Sequence, residues 1–127
     1  MWSILLFTFF RGKSMIFTDS LKNNRDFVNV YTSGKSYANK FLVIYTLKNN
    51  SDRNRLGISV SKKVGNSVVR HRLKRLIKES YRLHEKMFNS RLDIVVIARS
   101  GAAGLSFNNV ESALLHLSKL HGIYKDK

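Results

Sequence analysis

Lys62-Lys63-Val64-Gly65-Asn66-Ser67-Val68-Val69-Arg70-His71-Arg72-Leu73-Lys74-Arg75-Leu76-Ile77-Lys78 is the stretch on which the reading of this chain turns. Gly65 breaks the preceding pattern, Asn66 or Ser67 offers a helix cap, and a helical period follows to about Asn89. At about 100° per residue, Val69, Leu73, Leu76, Ser80, Leu83 and Met87 fall within roughly 40° of one direction. That stripe is the predicted buried face. Arg70, Lys74, Arg75, Lys78, Arg82 and Lys86 occupy the remaining arc, with Arg72 nearer the apolar border. Such a helix docks on a core with one side and offers cations to phosphates with the other.

The flanking text supplies a sheet. Leu56, Ile58 and Val60 alternate with Gly57, Ser59 and Ser61, the period of a half-buried strand. Before it, Phe41–Leu47 is rich in branched and aromatic residues and predicts another strand. The polar segment Lys48–Asn54 between them is expected to be a hairpin connection. After the basic helix, Leu92–Ala98 is a short apolar run, read as a strand buried on both faces. Asp19 or Ser20 is the expected cap of a first helix running to about Thr32, stopped at Gly34. Phe107, Val110, Leu114, Leu117 and Leu120/His121 recur at helical spacing and predict a last amphipathic helix.

Composition agrees with a polyanion partner. The 127 residues fit one domain, and 23 Lys and Arg stand against 8 Asp and Glu, a net charge of +15. From Lys62 to Lys86 nine cations face only Glu79 and Glu85, a local excess of seven. A merely solvated helix face mixes signs at i,i+4 spacing, whereas here only Glu79 and Glu85 could pair and most of the cations lack an intrahelical partner. Neutralising several phosphates from such a face releases counterions, so affinity should fall steeply with salt. Arg70, Arg72 and Arg75 are expected to count for more individually than Lys78, because guanidinium binds phosphate bidentately. Lys62 and Lys63 lie just upstream of the helix N-terminus, where free N–H groups attract a phosphate.

The chain has no cysteine, which excludes disulfides and thiolate metal sites. Its first residues, Trp2–Phe10, are mostly apolar but fall short of the ~20 that span a bilayer. Arg11 and Lys13 follow that run, whereas a signal peptide carries its cations before it. Residues 1–14 are therefore read as a disordered or mis-started extension, with 15–127 a single RNA-binding domain.

Nothing in the spacing suggests that the protein cuts by itself. Asp19, Asp26, Asp52, Glu79, Glu85, Asp93, Glu111 and Asp126 are scattered, and His71, His84, His116 and His121 show no zinc-like pattern. No metal site in the protein is expected. Two Gly-Lys-Ser triplets, at Gly12 and Gly34, lack the earlier glycine of a phosphate-binding loop, with Phe7 and Asn29 in its place.

The run Arg55–Glu79 resembles the protein subunit of bacterial ribonuclease P, carrying its RNR signature and the lead-in to it. Leu21-Lys22, Arg25-Asp26-Phe27, Gly34-Lys35-Ser36, Ala38-Asn39 and Asp93–Arg99 are also similar to that family, so the resemblance spans roughly Leu21 to Leu120. His71 departs from it, standing where the signature usually has Asn. The resemblance implies an α+β fold, a two-layer α/β sandwich of an about four-stranded sheet and three helices. It also implies a left-handed βαβ crossover, against the usual right-handed rule.

In function it implies a monomeric, cytoplasmic subunit of an endoribonuclease that removes the 5′ leader of precursor tRNA. The catalytic RNA would cut, using Mg²⁺ that it binds itself, and no cofactor would be held tightly by the protein. Lys62, Lys63, Asn66, Arg70, His71, Arg72, Lys74, Arg75 and Lys78 would bind that RNA. Phe27, Tyr31 and Tyr45 would line a cleft for the single-stranded leader, where stacking is tolerant of sequence. Two other readings remain open: a basic ribosomal or general RNA-binding protein, and a peripheral membrane protein whose helix stripe faces lipid.

Overall fold

In the computed structural model, residues 15–125 are described. The expected extension at 1–14 lies outside them. Strand β1 (Thr18–Ser20) leads to helix α1 (Asn24–Ser33), then strands β2 (Lys35–Ala38), β3 (Leu42–Lys48) and β4 (Asn54–Val60). Helix α2 (Ser67–Leu83), strand β5 (Leu92–Ala98) and helix α3 (Phe107–Leu120) complete the fold. The mixed α/β architecture is as expected, with five strands instead of about four.

The sheet order is β1-β4-β5-β3-β2. β4 and β5 are parallel neighbours, Leu56 opposite Ile94 and Ile58 opposite Val96, so β4–α2–β5 is a crossover unit that carries the basic helix. The segment after β3 is not a hairpin: β5 lies between β3 and β4 and pairs antiparallel with β3 over Leu42–Lys48. The true hairpin joins β2 to β3. Its turn is organised by Asn39, whose Oδ1 accepts the N–H groups of Phe41 (3.0 Å) and Leu42 (2.9 Å). Asn39 Nδ2 donates to the Ala113 carbonyl at 3.1 Å, tying the hairpin to α3.

The alternation of β3, β4 and β5 divides the core. Leu42, Ile44, Leu56, Val60, Ile94, Val96 and Ala98 face α2 and α3. Val95 faces the other way, where Leu21 and Val30 cover it together with half-buried Phe27, Tyr45, Leu47 and Ile97. α1 thus lies over only part of the second face.

Helix boundaries differ from expectation where partners distant in the chain intervene. Asp19 and Ser20 do not cap α1; they pair with Arg55 and Leu56 as β1, and the Leu21 N–H continues that ladder to the Leu56 carbonyl at 2.9 Å. Asn23 caps instead, its side chain accepting the Arg25 N–H. Gly34 ends α1 by close approach and not by positive φ: a Cβ there would lie 2.5 Å from the Val30 carbonyl oxygen.

α2 stops at Leu83, six residues short of the expected Asn89. Beyond it a turn of 3₁₀ helix, Glu85–Met87, swings buried Phe88 onto Tyr81, ring centroids 4.7 Å apart. Glu85 fixes that turn by accepting the backbone N–H groups of Ile16 (2.9 Å) and Phe17 (2.7 Å).

Candidate nucleic-acid interface

α2 meets the core through Leu73, Leu76, Ile77, Ser80 and Tyr81. Leu73, Leu76 and Ser80 were expected there. Leu83 is 40% exposed and Met87 lies beyond the helix, so the contact face is rotated toward Ile77 and Tyr81. Polar groups on this face are satisfied internally. Ser80 Oγ donates to the Leu76 carbonyl at 2.9 Å, and the Tyr81 hydroxyl meets Thr18 Oγ1 at 2.7 Å.

With that side committed to the core, His71, Arg72, Lys74, Arg75 and Lys78 are exposed and Arg70 half-buried. Arg82 stands apart from these residues: it forms a two-pronged pair with Glu79, at 2.8 and 3.1 Å. Arg70 donates from Nε to the Gly65 carbonyl at 3.2 Å, so it braces the turn that launches the helix. Asn66 is the cap, its Oδ1 accepting the Val69 N–H at 3.0 Å. Gly65 is required there, because a Cβ would lie 2.8 Å from a Val69 methyl. Lys62 and Lys63 are exposed on this turn, beside the helix N-terminus. The turn and helix therefore bring all nine sequence-predicted RNA-binding residues onto one connected segment, with Asn66 also serving as a structural cap.

The three aromatics gather on the opposite sheet face. Phe27 and Tyr31, one turn apart on α1, have ring centroids 6.3 Å apart; Tyr31 meets Tyr45 of β3 edge-on at 5.1 Å. Phe27 rests on Gly57 of β4, where a Cβ would come within 2.6 Å of its ring. The result is an aromatic row running from β4 across to β3. Tyr31 is 36% exposed, and Phe27 and Tyr45 are half-buried, so ring surface is open to a ligand. Burial raises the Tyr31 phenol above its ordinary 10.0, which keeps it neutral while it hydrogen-bonds Ser59.

At the end of this row lies a network that sequence spacing did not reveal. Arg55 of β4 donates to Asp93 of β5 through Nε (2.8 Å) and Nη2 (2.6 Å), and to Asp26 of α1 through Nη1 (3.1 Å). Asn49 Nδ2 adds a bond to Asp93 Oδ1 at 2.9 Å. The Asp93 side chain is only 3% exposed. The hydrogen bond to Asp93, with the charges of Asp93 and Asp26, raises the Arg55 pKa above its ordinary value against the opposing effect of burial, so this cation stays charged. Because Asp26 directly precedes Phe27, the clasp fixes where α1 presents its aromatics.

No three His, Asp or Glu side chains gather as a metal ligand set among the described residues. His121 is a packing group: its Nε2 meets the Ile44 carbonyl at 2.7 Å and its ring lies edge-on to Tyr37. His116 contacts Asn39 Nδ2. No helix among the described residues is long and apolar enough to cross a membrane.

Comparison with known proteins decides between the readings. A family model described as Ribonuclease P matches residues 16–121. The chain belongs to the ribonuclease P protein family. A "Ribonuclease P protein component" from Lachnoclostridium phytofermentans is 61% identical over 106 residues, covering 84% of this chain and 91% of the relative. A Staphylococcus aureus RNase P protein structure superposes with a TM-score of 0.78 at 40% identity, covering 83% of this chain and 96% of that one. Another S. aureus structure is described as an RNase P protein mutant with defective mRNA degradation activity. It has a TM-score of 0.78 at 35% identity and covers 97% of both chains. Membership assigns the ribonuclease P protein to tRNA processing, as the protein component of a ribonucleoprotein endoribonuclease. It also sets aside the reading as a basic ribosomal or general RNA-binding protein with no link to cleavage.

Proposed function

We propose that this subunit grips ribonuclease P RNA with the segment Lys62–Lys78 and holds the precursor tRNA leader on the aromatic row Phe27-Tyr31-Tyr45. The observation that carries the proposal is the division of α2: Leu73, Leu76, Ile77 and Tyr81 are buried against the core while His71, Arg72, Lys74, Arg75 and Lys78 are exposed on the same rigid helix. A charged array held that way binds phosphates without the cost of ordering a loop. The aromatic row, separated from it by the sheet, suits unstacked bases of varied sequence.

On this reading the RNA supplies the chemistry with its own Mg²⁺. The carboxylates beside the cleft support that division of labour, since Arg55 occupies both Asp26 and Asp93. The protein lowers repulsion between two RNAs and positions the leader, which is binding energy used for orientation. It acts as a monomer within the particle, in the cytoplasm.

The test is reconstitution with the cognate RNA at low Mg²⁺, with the protein alone as an essential control. That control matters because the second S. aureus relative is described as a mutant with defective mRNA degradation activity. Faster cleavage by the complex, with no cleavage of precursor tRNA by the protein, supports the proposal. Cleavage by the protein unaided refutes it.

A further inference from the structure

α2 carries a second stripe besides its core face. His71, Lys74, Arg75 and Lys78 follow i, i+3, i+4, i+7 spacing and so share one side of the helix. That side does not face open solvent alone. It forms one wall of a groove of about 230 Å³ whose floor is Met15, Leu21, Leu56 and Ile58, with Ser20 at the rim. The floor exists because β1 is short: it pairs with β4 only at Asn54, Arg55 and Leu56. Ile58 lies beyond the last of these pairs and is left half-buried at the edge of the sheet.

We propose that this groove seats a single unstacked nucleotide of the RNA partner, its base on the apolar floor and its phosphate against the α2 wall. The proposal rests on the reading that α2 grips RNA, and adds where one base of that RNA goes. The chemistry asks for a ligand with an apolar face directly joined to negative charge. A nucleotide has both, whereas a paired base inside a duplex has its faces already covered. The volume lies below the ~300–1,000 Å³ usual for small-molecule pockets, which favours one ring system over a larger ligand. Charge favours an anion: Lys74 and Lys78 have no carboxylate partner among the described residues. Ser20, exposed at the rim, supplies a hydroxyl to a base edge.

Two substitutions test this without touching a cation. Ser20→Trp fills the groove from its rim, and Ile58→Thr makes the floor polar while keeping a branched strand residue. Each should weaken binding of ribonuclease P RNA by the full chain about tenfold, a loss of the size expected for one base contact. The slope of log affinity against log salt should stay at the wild-type value, since every phosphate-binding cation is retained. Base-specific chemical protection should vanish at one nucleotide while backbone protection persists. Wild-type affinity in both variants, or a changed salt slope, would overturn the proposal.

A measurement on the unmodified protein guards against misfolded variants. AMP should shift the NMR methyl signals of Leu56 and Ile58, and inorganic phosphate should leave those methyls in place. Silent methyls under AMP, or methyls that respond to phosphatidylglycerol vesicles and not to AMP, would also overturn it. Removing charge at Arg70 and Arg72 separates the two ideas. If that leaves RNA affinity intact, the grip of α2 is wrong; if it weakens affinity while Ser20→Trp does not, only the nucleotide seat is wrong.

Discussion

Replacing Arg55 with Met isolates the energetic role of the clasp between α1 and the sheet. The substitution keeps an unbranched apolar stem but removes three donated hydrogen bonds, two to Asp93 and one to Asp26. Asp93, 2% exposed in the intact fold, is left with the Asn49 amide, at 2.9 Å, donating to it. Breaking a buried ion pair by deleting one partner costs roughly 3–5 kcal/mol, because a charge is left uncompensated. The surviving Asn49 bond and the partial exposure of Arg55 put the loss near the lower end, about 3 kcal/mol.

Asp26→Asn provides the contrast. It weakens only the partly exposed arm of the network, with side chains 33% and 31% exposed, and should cost about 0–1 kcal/mol. Removing both charges of the pair, in Arg55→Met with Asp93→Asn, should recover part of the loss, since no buried ion is stranded. Urea unfolding of the four proteins measures all three quantities. Equal losses for Arg55→Met and Asp26→Asn, or a double variant weaker than Arg55→Met, would show that a stranded Asp93 charge is not what destabilises the fold.

Three further outcomes follow from the same structure. Replacing Arg72, Lys74 and Lys78 with Gln should weaken RNA binding and flatten its salt dependence by about 0.9 in slope for each duplex phosphate no longer neutralised, read from titrations across salt concentrations. Phe27→Ala or Tyr45→Ala should lower affinity for long-leader precursor tRNA by about 1–3 kcal/mol per stacked base and leave leaderless tRNA unaffected; equal loss on both would disprove the cleft assignment. His121 is held below its ordinary 6.5, first by burial and then by the nearby Lys35 charge, against an opposing bond to the Ile44 carbonyl. The unfolded chain therefore takes up the proton first: stability is present above pH 6.5 and declines as pH falls toward the lowered folded value, and His121→Gln should flatten that decline in urea midpoints.

The elements set by local pattern were legible in the sequence, and those set by distant pairing were not. α2 and α3 announce themselves by a 3.6-residue period, and β5 by an uninterrupted apolar run. β1, three residues long and polar at Asp19 and Ser20, carries no such pattern; only its pairing with β4 makes it a strand. The placement of β5 between β3 and β4 has no local signature either, so the polar segment before Asn54 resembles a hairpin loop. That one topological fact hid the Arg55–Asp93 pair, whose members face each other across β4 and β5 but stand 38 residues apart in the chain. The helix end at Leu83 was equally nonlocal, because Glu85 leaves the helical path to bind backbone N–H groups near residue 16. By contrast the basic face was legible from helical spacing, and the aromatic trio Phe27, Tyr31 and Tyr45 from the family resemblance. Their residue types sit on regular elements, and the geometry then showed that the two groups lie on different sides of the sheet.

The division of labour between protein and RNA is read most plainly from the single-turnover rate of precursor tRNA cleavage by ribonuclease P RNA at low Mg²⁺, with and without this protein. The protein should accelerate the RNA, and the gain should disappear when the exposed cations of α2 are removed. Cleavage that is indifferent to the protein, or a gain that survives removal of those cations unchanged, would contradict a grip by α2.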